Sequence, residues 1–114
     1  MRGAGMKRKT LYLAGPMRGK PNHNIRNFNL AAERLGIMGW NVINPADISR
    51  EFGLLDEPDN AVLLRACMDA ELAAIPHLDA IYLLRGWERS DGARAELAVA
   101  LAHGKQILLE GAVE

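Results

Sequence analysis

Two short segments of this chain carry residues suited to holding an anion, and the helical stretch after the second carries a glutamate that can lie beneath what is held. The first segment is Gly15-Pro16-Met17-Arg18-Gly19. Its glycines let the backbone approach a ligand closely, and Arg18 offers a fork of donors suited to phosphate or carboxylate. A tight turn with a solvated arginine is the alternative. The second segment is Arg85-Gly86-Trp87-Glu88-Arg89-Ser90-Asp91-Gly92. Ser90 or Asp91 can cap a helix that starts there, and the exposed amides of such a start, with the serine hydroxyl, make an anion site. Capping alone accounts for the same residues. Gly92 keeps that entrance open. Trp87, in a polar loop, can stack on a base or serve as a packing lid.

Glu96 follows Gly92 by one helical turn, so its side chain can lie beneath whatever the loop binds. A glutamate on an alanine-rich helix commonly faces solvent, but the neighbours Ala93, Ala95, Leu97 and Ala98 point to a buried carboxylate. Asp69 sits mid-helix, spaced from Arg65 for an ordinary surface ion pair. The pair Asp69 and Glu71 reads as normal helix surface, and Asp79 as a turn residue. Metal chemistry finds little support, because His23, His77 and His103 are scattered and Cys67 stands alone. The chain has no Gly-x-Ser-x-Gly elbow, no Walker loop and no Gly-x-Gly-x-x-Gly fingerprint, so no cofactor is expected.

The elements that must position these residues alternate between strand and helix, the pattern of stacked βαβ units. Strands are predicted at Thr10–Ala14, Trp40–Ile43, Ala80–Leu84 and Gln106–Leu109. A first helix runs from about Asn24, with Ile25, Phe28, Ala32 and Leu35 on one face. A second runs from about Asp59 to Ile75, with Val62, Ala66, Ala70 and Ala73 on its apolar stripe, and a third from about Gly92 to Ala102. Residues 46–58 read as an irregular connection. The expected fold is α/β: a three-layer, doubly wound parallel sheet of four to five strands, flavodoxin- or Rossmann-like, with three crossover helices. In such sheets ligands sit outside the carboxyl ends of the strands. That rule selects three segments, Gly15 to Asn24, Asn44 to Asp59 and Arg85 to Gly92, after the first, second and third strands.

With 114 residues the chain suits one domain, expected over residues 10–114 behind a flexible basic leader over residues 1–9. Met6 is an alternative start. Lys and Arg balance Asp and Glu, which argues against a nucleic-acid track or an anionic membrane surface as partner. Arg2, Lys7, Arg8 and Lys9 read as a solvated tail. A single cysteine precludes an intrachain disulfide, and neither a membrane span nor a signal peptide is legible, so the expected location is the cytoplasm. With so few large side chains the core is modest, and self-association would bury more apolar surface.

Taken in order and spacing, the segments resemble the nucleoside 2-deoxyribosyltransferase-like superfamily, and within it a small phage and bacterial branch of unknown function. The likeness rests on Tyr12 to Gly19, Asn44-Pro45-Ala46-Asp47, Leu84 to Glu88, Ser90-x-Gly92-x-x-x-Glu96, and the closing Ala98 to Lys105. The resemblance implies attack on an N-glycosidic bond. A glutamate at the position of Glu96 displaces the base from a deoxyribosyl group, and water or another base resolves the ester. An aspartate at Asp69 would protonate or orient the departing base, and Tyr12 would position the nucleophile or contact the sugar. The chain also resembles nucleoside 5′-monophosphate N-glycosidases, which hold phosphate with Gly-x-x-Arg-Gly, matching Gly15, Arg18 and Gly19. Their serine two residues before a glycine matches Ser90 and Gly92, and Arg94 departs from a second glycine of that group. The implied substrate is a (deoxy)nucleoside 5′-monophosphate, lined by Met17, Trp87 and Glu88 as well, and Glu88 competes with Glu96 for the catalytic role. A non-catalytic nucleotide-binding or sensing module is the alternative function, and a homodimer or larger homo-oligomer is the implied assembly.

Overall fold

The computed structural model describes residues 8–112. Of the expected leader, residues 1–7 lie outside that range. Arg8 is not simply solvated: its guanidinium donates to the Gly39 carbonyl at 3.0 Å and the Gly36 carbonyl at 2.7 Å. Those carbonyls belong to the end of the first helix, where a cation satisfies groups that no helical amide reaches.

The strands are β1 (Thr10–Ala14), β2 (Asn41–Ile43), β3 (Ala80–Leu83) and β4 (Gln106–Leu109), and the helices α1 (Ile25–Ile37), α2 (Pro45–Glu51), α3 (Ala61–Ala74) and α4 (Asp91–Ala102). Short 3-10 turns at Pro21–Asn24, Ile75–His77 and Trp87–Arg89 lead into or out of them. All strand pairs are parallel, in the order β2-β1-β3-β4. The chain leaves β1 towards β2 and then crosses to the other side for β3, so the direction of winding reverses between β1 and β3. A crevice opens outside the carboxyl ends of strands at such a switch point.

Alternation along the strands divides the core into two layers. Leu11 and Leu13 of β1, with Ala80 and Tyr82 of β3, pack against Phe28, Ala31 and Leu35 of α1. Tyr12, Ala14, Ile81 and Leu83 face the other way, against Ile75 and against Ala93 and Ala100 of α4. The sheet is therefore sandwiched between helices, the three-layer arrangement expected.

Three expectations need correction. Residues 46–58 are not wholly irregular, because α2 occupies the start of that stretch and makes four helices rather than three. Asn44 caps it, accepting from the Ala46 amide at 3.0 Å, and Pro45 takes the first helical position, where a missing N–H leaves nothing unsatisfied. The apolar stripe of α3 is also different: Val62 and Ala73 are exposed, while Cys67 and Glu71 are buried. Lastly, α3 starts at Ala61 rather than Asp59, because the Asn60 side chain accepts from the Val62 and Leu63 amides and sets the boundary.

Candidate active site

A cavity of about 1160 Å³ opens at the switch point. Its walls are the segments that follow β1 and β3, the connection between α2 and α3, and the inner face of α3. The two strand-end segments touch. A Cβ on Gly15 would lie 2.8 Å from the Leu84 Cβ, closer than carbon atoms pack, so only glycine lets the chain leaving β1 cross the end of β3.

The floor is an acidic cluster with one phenol. The Tyr12 hydroxyl donates to Glu96 Oε2 at 2.6 Å, a length typical of a bond to an ionised carboxylate. Tyr12 sits in the middle of the central strand and is fully enclosed. Glu96 is only 5% exposed, because Ala93, Glu96 and Ala100 form the inward stripe of α4. Glu71, 6% exposed on α3, reaches the same cluster and is close enough to Glu96 and Tyr12 to be electrostatically coupled to both.

Burial dominates the electrostatics here. It pushes the Glu71 carboxyl up to about 7, against the interactions with Glu96 and Tyr12 that favour its charged form. Burial and then the charge of Glu71 lift Glu96 well above the usual carboxylate range. Burial, followed by the two carboxylates, raises the Tyr12 phenol, which therefore stays a donor. Two carboxyls this close in a dry pocket do not both ionise, so near neutral pH the pair shares one proton. Such a pair offers one carboxylate for attack and one carboxyl for proton donation. Cys67 lies one turn from Glu71, and burial, then that charge, pushes its thiol up and keeps it unreactive.

Most residues singled out from the sequence meet in this cavity. Tyr12, Gly15, Met17, Arg18, Gly19, Asp69, Ser90, Gly92 and Glu96 all line it. Gly19 has φ +81° in the turn closed by the Lys20 amide on the Met17 carbonyl, a conformation glycine adopts without strain. Ser90 caps α4 by accepting from the Ala93 amide at 3.1 Å, so the helix start faces the cavity with its cap in place. Asp69 is exposed on the α3 wall and forms no ion pair with Arg65 among the described residues.

Trp87 and Glu88 are not brought to the cavity. Trp87 packs against the apolar layer of Ile81, Leu83 and Ala93, because the 3-10 turn Trp87–Arg89 rolls its ring inward. Glu88 is exposed outside the cavity, and its carbonyl accepts from Arg94 at 3.4 Å. Arg94 also pairs with Asp91 on the cavity wall, but does not itself line the cavity. Among the described residues no group of three His, Cys, Asp or Glu side chains could hold a metal ion, and no helix is long and apolar enough to cross a membrane.

Glu71, which reads in the sequence as normal helix surface, is instead buried in the cluster, and its role is the one the sequence does not point to. The signal for its burial was present: Leu64, Cys67, Glu71 and Ile75 recur at spacings of three and four, placing a glutamate within a helical stripe. The sequence of α3 is apolar on almost every side, so a rival stripe through the small alanines fits equally well.

A family model described as "Domain of unknown function (DUF4406)" matches residues 9–109. None of the curated proteins matches the chain. The match spans almost the whole sequence, every strand and helix of the fold and every residue of the acidic cluster, and the chain belongs to this family.

Proposed function

We propose that this protein is a nucleotide N-glycosidase or deoxyribosyltransferase that cleaves the N-glycosidic bond of a (deoxy)nucleoside 5′-phosphate, with Glu96 as nucleophile. The observation that carries the reading is the Tyr12–Glu96–Glu71 cluster at the floor of a cavity whose mouth presents Arg18 and the start of α4. The charge of Glu71 makes Glu96 the more basic of the two, so the shared proton rests on Glu96 and must pass to Glu71 before Glu96 attacks as the carboxylate. The Tyr12 hydroxyl holds Glu96 Oε2, leaving Oε1 to attack the anomeric carbon. As that C–O bond forms, the C–N bond breaks and its electron pair leaves with the base, which takes the proton of Glu71. The resulting glycosyl ester is resolved by water, deprotonated by Glu71, or by a second base. Division of labour between two carboxyls is the logic of retaining glycosidases.

This assigns to Glu71 the proton transfer that the resemblance implies for Asp69. Asp69, exposed on the same wall, is left to orient the base. The apolar wall of Met17, Leu64 and Met68 suits the face of a purine or pyrimidine. Met17 thus faces the base, with Arg18 and the α4 amides at the phosphate end.

Incubation with a panel of ribo- and deoxyribonucleoside phosphates, scored for free base by chromatography, tests the reading. Release of base from at least one member, dependent on Glu96, supports it. Binding of nucleotides with no base released or exchanged from any of them would replace it with a non-catalytic nucleotide-binding or sensing module.

A further inference from the structure

We infer that the site is built for a nucleotide carrying a pyrophosphate group, not a lone 5′-phosphate. The inference rests on the reading above for the nucleoside part and on the charge of the cavity mouth for the rest.

The segments after β1 and β3 bring three cations, Arg18, Lys20 and Arg89, to the lining of one cavity. These segments are in contact: a Cβ on Gly86 would stand 3.2 Å from the Pro16 Cγ, as one on Gly15 would meet Leu84. None of the three cations has a carboxylate within ion-pair distance among the described residues. The acid nearest in sequence to Arg89 on the cavity wall, Asp91, is engaged by Arg94. The remaining rim acids, Asp59 and Asp69, sit just before α3 and on it, on the side where Arg65 also stands. Positive charge is thus concentrated at the phosphate end and balanced at the base end.

A single phosphate ester carries about −2 at neutral pH, which Arg18 and one further cation already match. A third cation at the same end is left for a second phosphate. Space agrees with charge. Pockets for small ligands span roughly 300–1,000 Å³, and this cavity, at about 1160 Å³, exceeds that range. Arg18 and the α4 start then hold the phosphate nearest the sugar. Lys20, two residues on across the Gly19 turn, and Arg89, just before the cap, hold the next.

The test is equilibrium binding to the Glu96→Gln protein, which cannot turn over, using a deoxynucleoside mono-, di- and triphosphate and a dinucleotide bridged by pyrophosphate. Inorganic pyrophosphate against inorganic phosphate on the wild-type chain provides the same comparison without any variant. Pyrophosphate-bearing ligands are expected to bind at least roughly tenfold more tightly than the monophosphate, the size of one charge-assisted contact. The Lys20→Ala, Arg89→Ala double variant is expected to lose that advantage. Among pyrophosphate ligands, the tighter of the triphosphate and the dinucleotide identifies which source fills the cavity. A monophosphate bound as tightly as the diphosphate, or a double variant that keeps the preference, overturns the inference and leaves the glycosidase reading standing. If the preference holds while no nucleotide loses its base, the glycosidase reading falls and the inference stands.

Discussion

Replacing Glu71 by Gln removes the titration of one of two buried carboxyls while keeping size and hydrogen-bonding capacity. The Glu71 carboxyl moves from its ordinary 4.5 to about 7 on folding, chiefly because burial disfavours its charge. The folded chain therefore holds this proton to higher pH than the unfolded chain does. The contribution is fully present below about pH 4.5 and is lost as pH rises through 7. Over that window the loss is about 3 kcal/mol, since each pH unit of difference between the two states is worth about 1.4 kcal/mol. Gln has no such loss, and Glu96 is relieved of a like charge. Thermal unfolding of both proteins, followed by circular dichroism from pH 4.5 to 8.5, reads the difference. The Glu71→Gln protein is expected to gain on the wild type as pH rises, by roughly 10 °C in Tm for a domain of this size. Parallel curves across the range, or a variant that loses ground with rising pH, would refute the buried, proton-sharing pair.

Three other substitutions probe the scaffold around the pair. Tyr12→Phe removes the bond that favours ionised Glu96, so turnover should fall roughly tenfold to a hundredfold and the acid limb of the pH–rate profile should move to higher pH. Gly15→Ala forces a Cβ against Leu84 at the strand crossing and should cost about 1–3 kcal/mol in denaturant unfolding. Asn44→Ala removes the cap of α2 and the bond to Asn29, and should cost about 1 kcal/mol in the same assay.

The parts of the fold that were legible in the sequence are those where one physical signal dominates. β1 is a short apolar run closed by Gly-Pro, and its bounds agree residue for residue. Glu96 could be suspected of burial because small apolar residues surround it on α4, leaving no polar face for it to share. Where two signals coincide, reading failed. Asn44-Pro45 ends a strand and also caps and starts a helix, and the dipeptide by itself reads as a stop. The polar loop around Trp87 leaves open whether the ring stacks on a ligand or packs as a lid, and the structure has the indole packed against the apolar layer. Glu71 was hidden because α3 is apolar nearly all round, so periodicity could not say which face meets α4. Its partnership with Glu96 is a long-range contact between two helices, and spacing along one helix cannot express it.

The most direct measurement on the central proposal is single-turnover base release by Glu96→Gln beside Glu88→Gln, on the nucleotide that the wild type cleaves best. Losing the covalent nucleophile should slow release by roughly a thousandfold or more. Nucleotide binding should survive in Glu96→Gln, and Glu88→Gln, altered outside the cavity, should release base near the wild-type rate. A Glu96→Gln protein that still turns over, or a Glu88→Gln protein that does not, would contradict the assignment of the chemistry to the floor of the cavity.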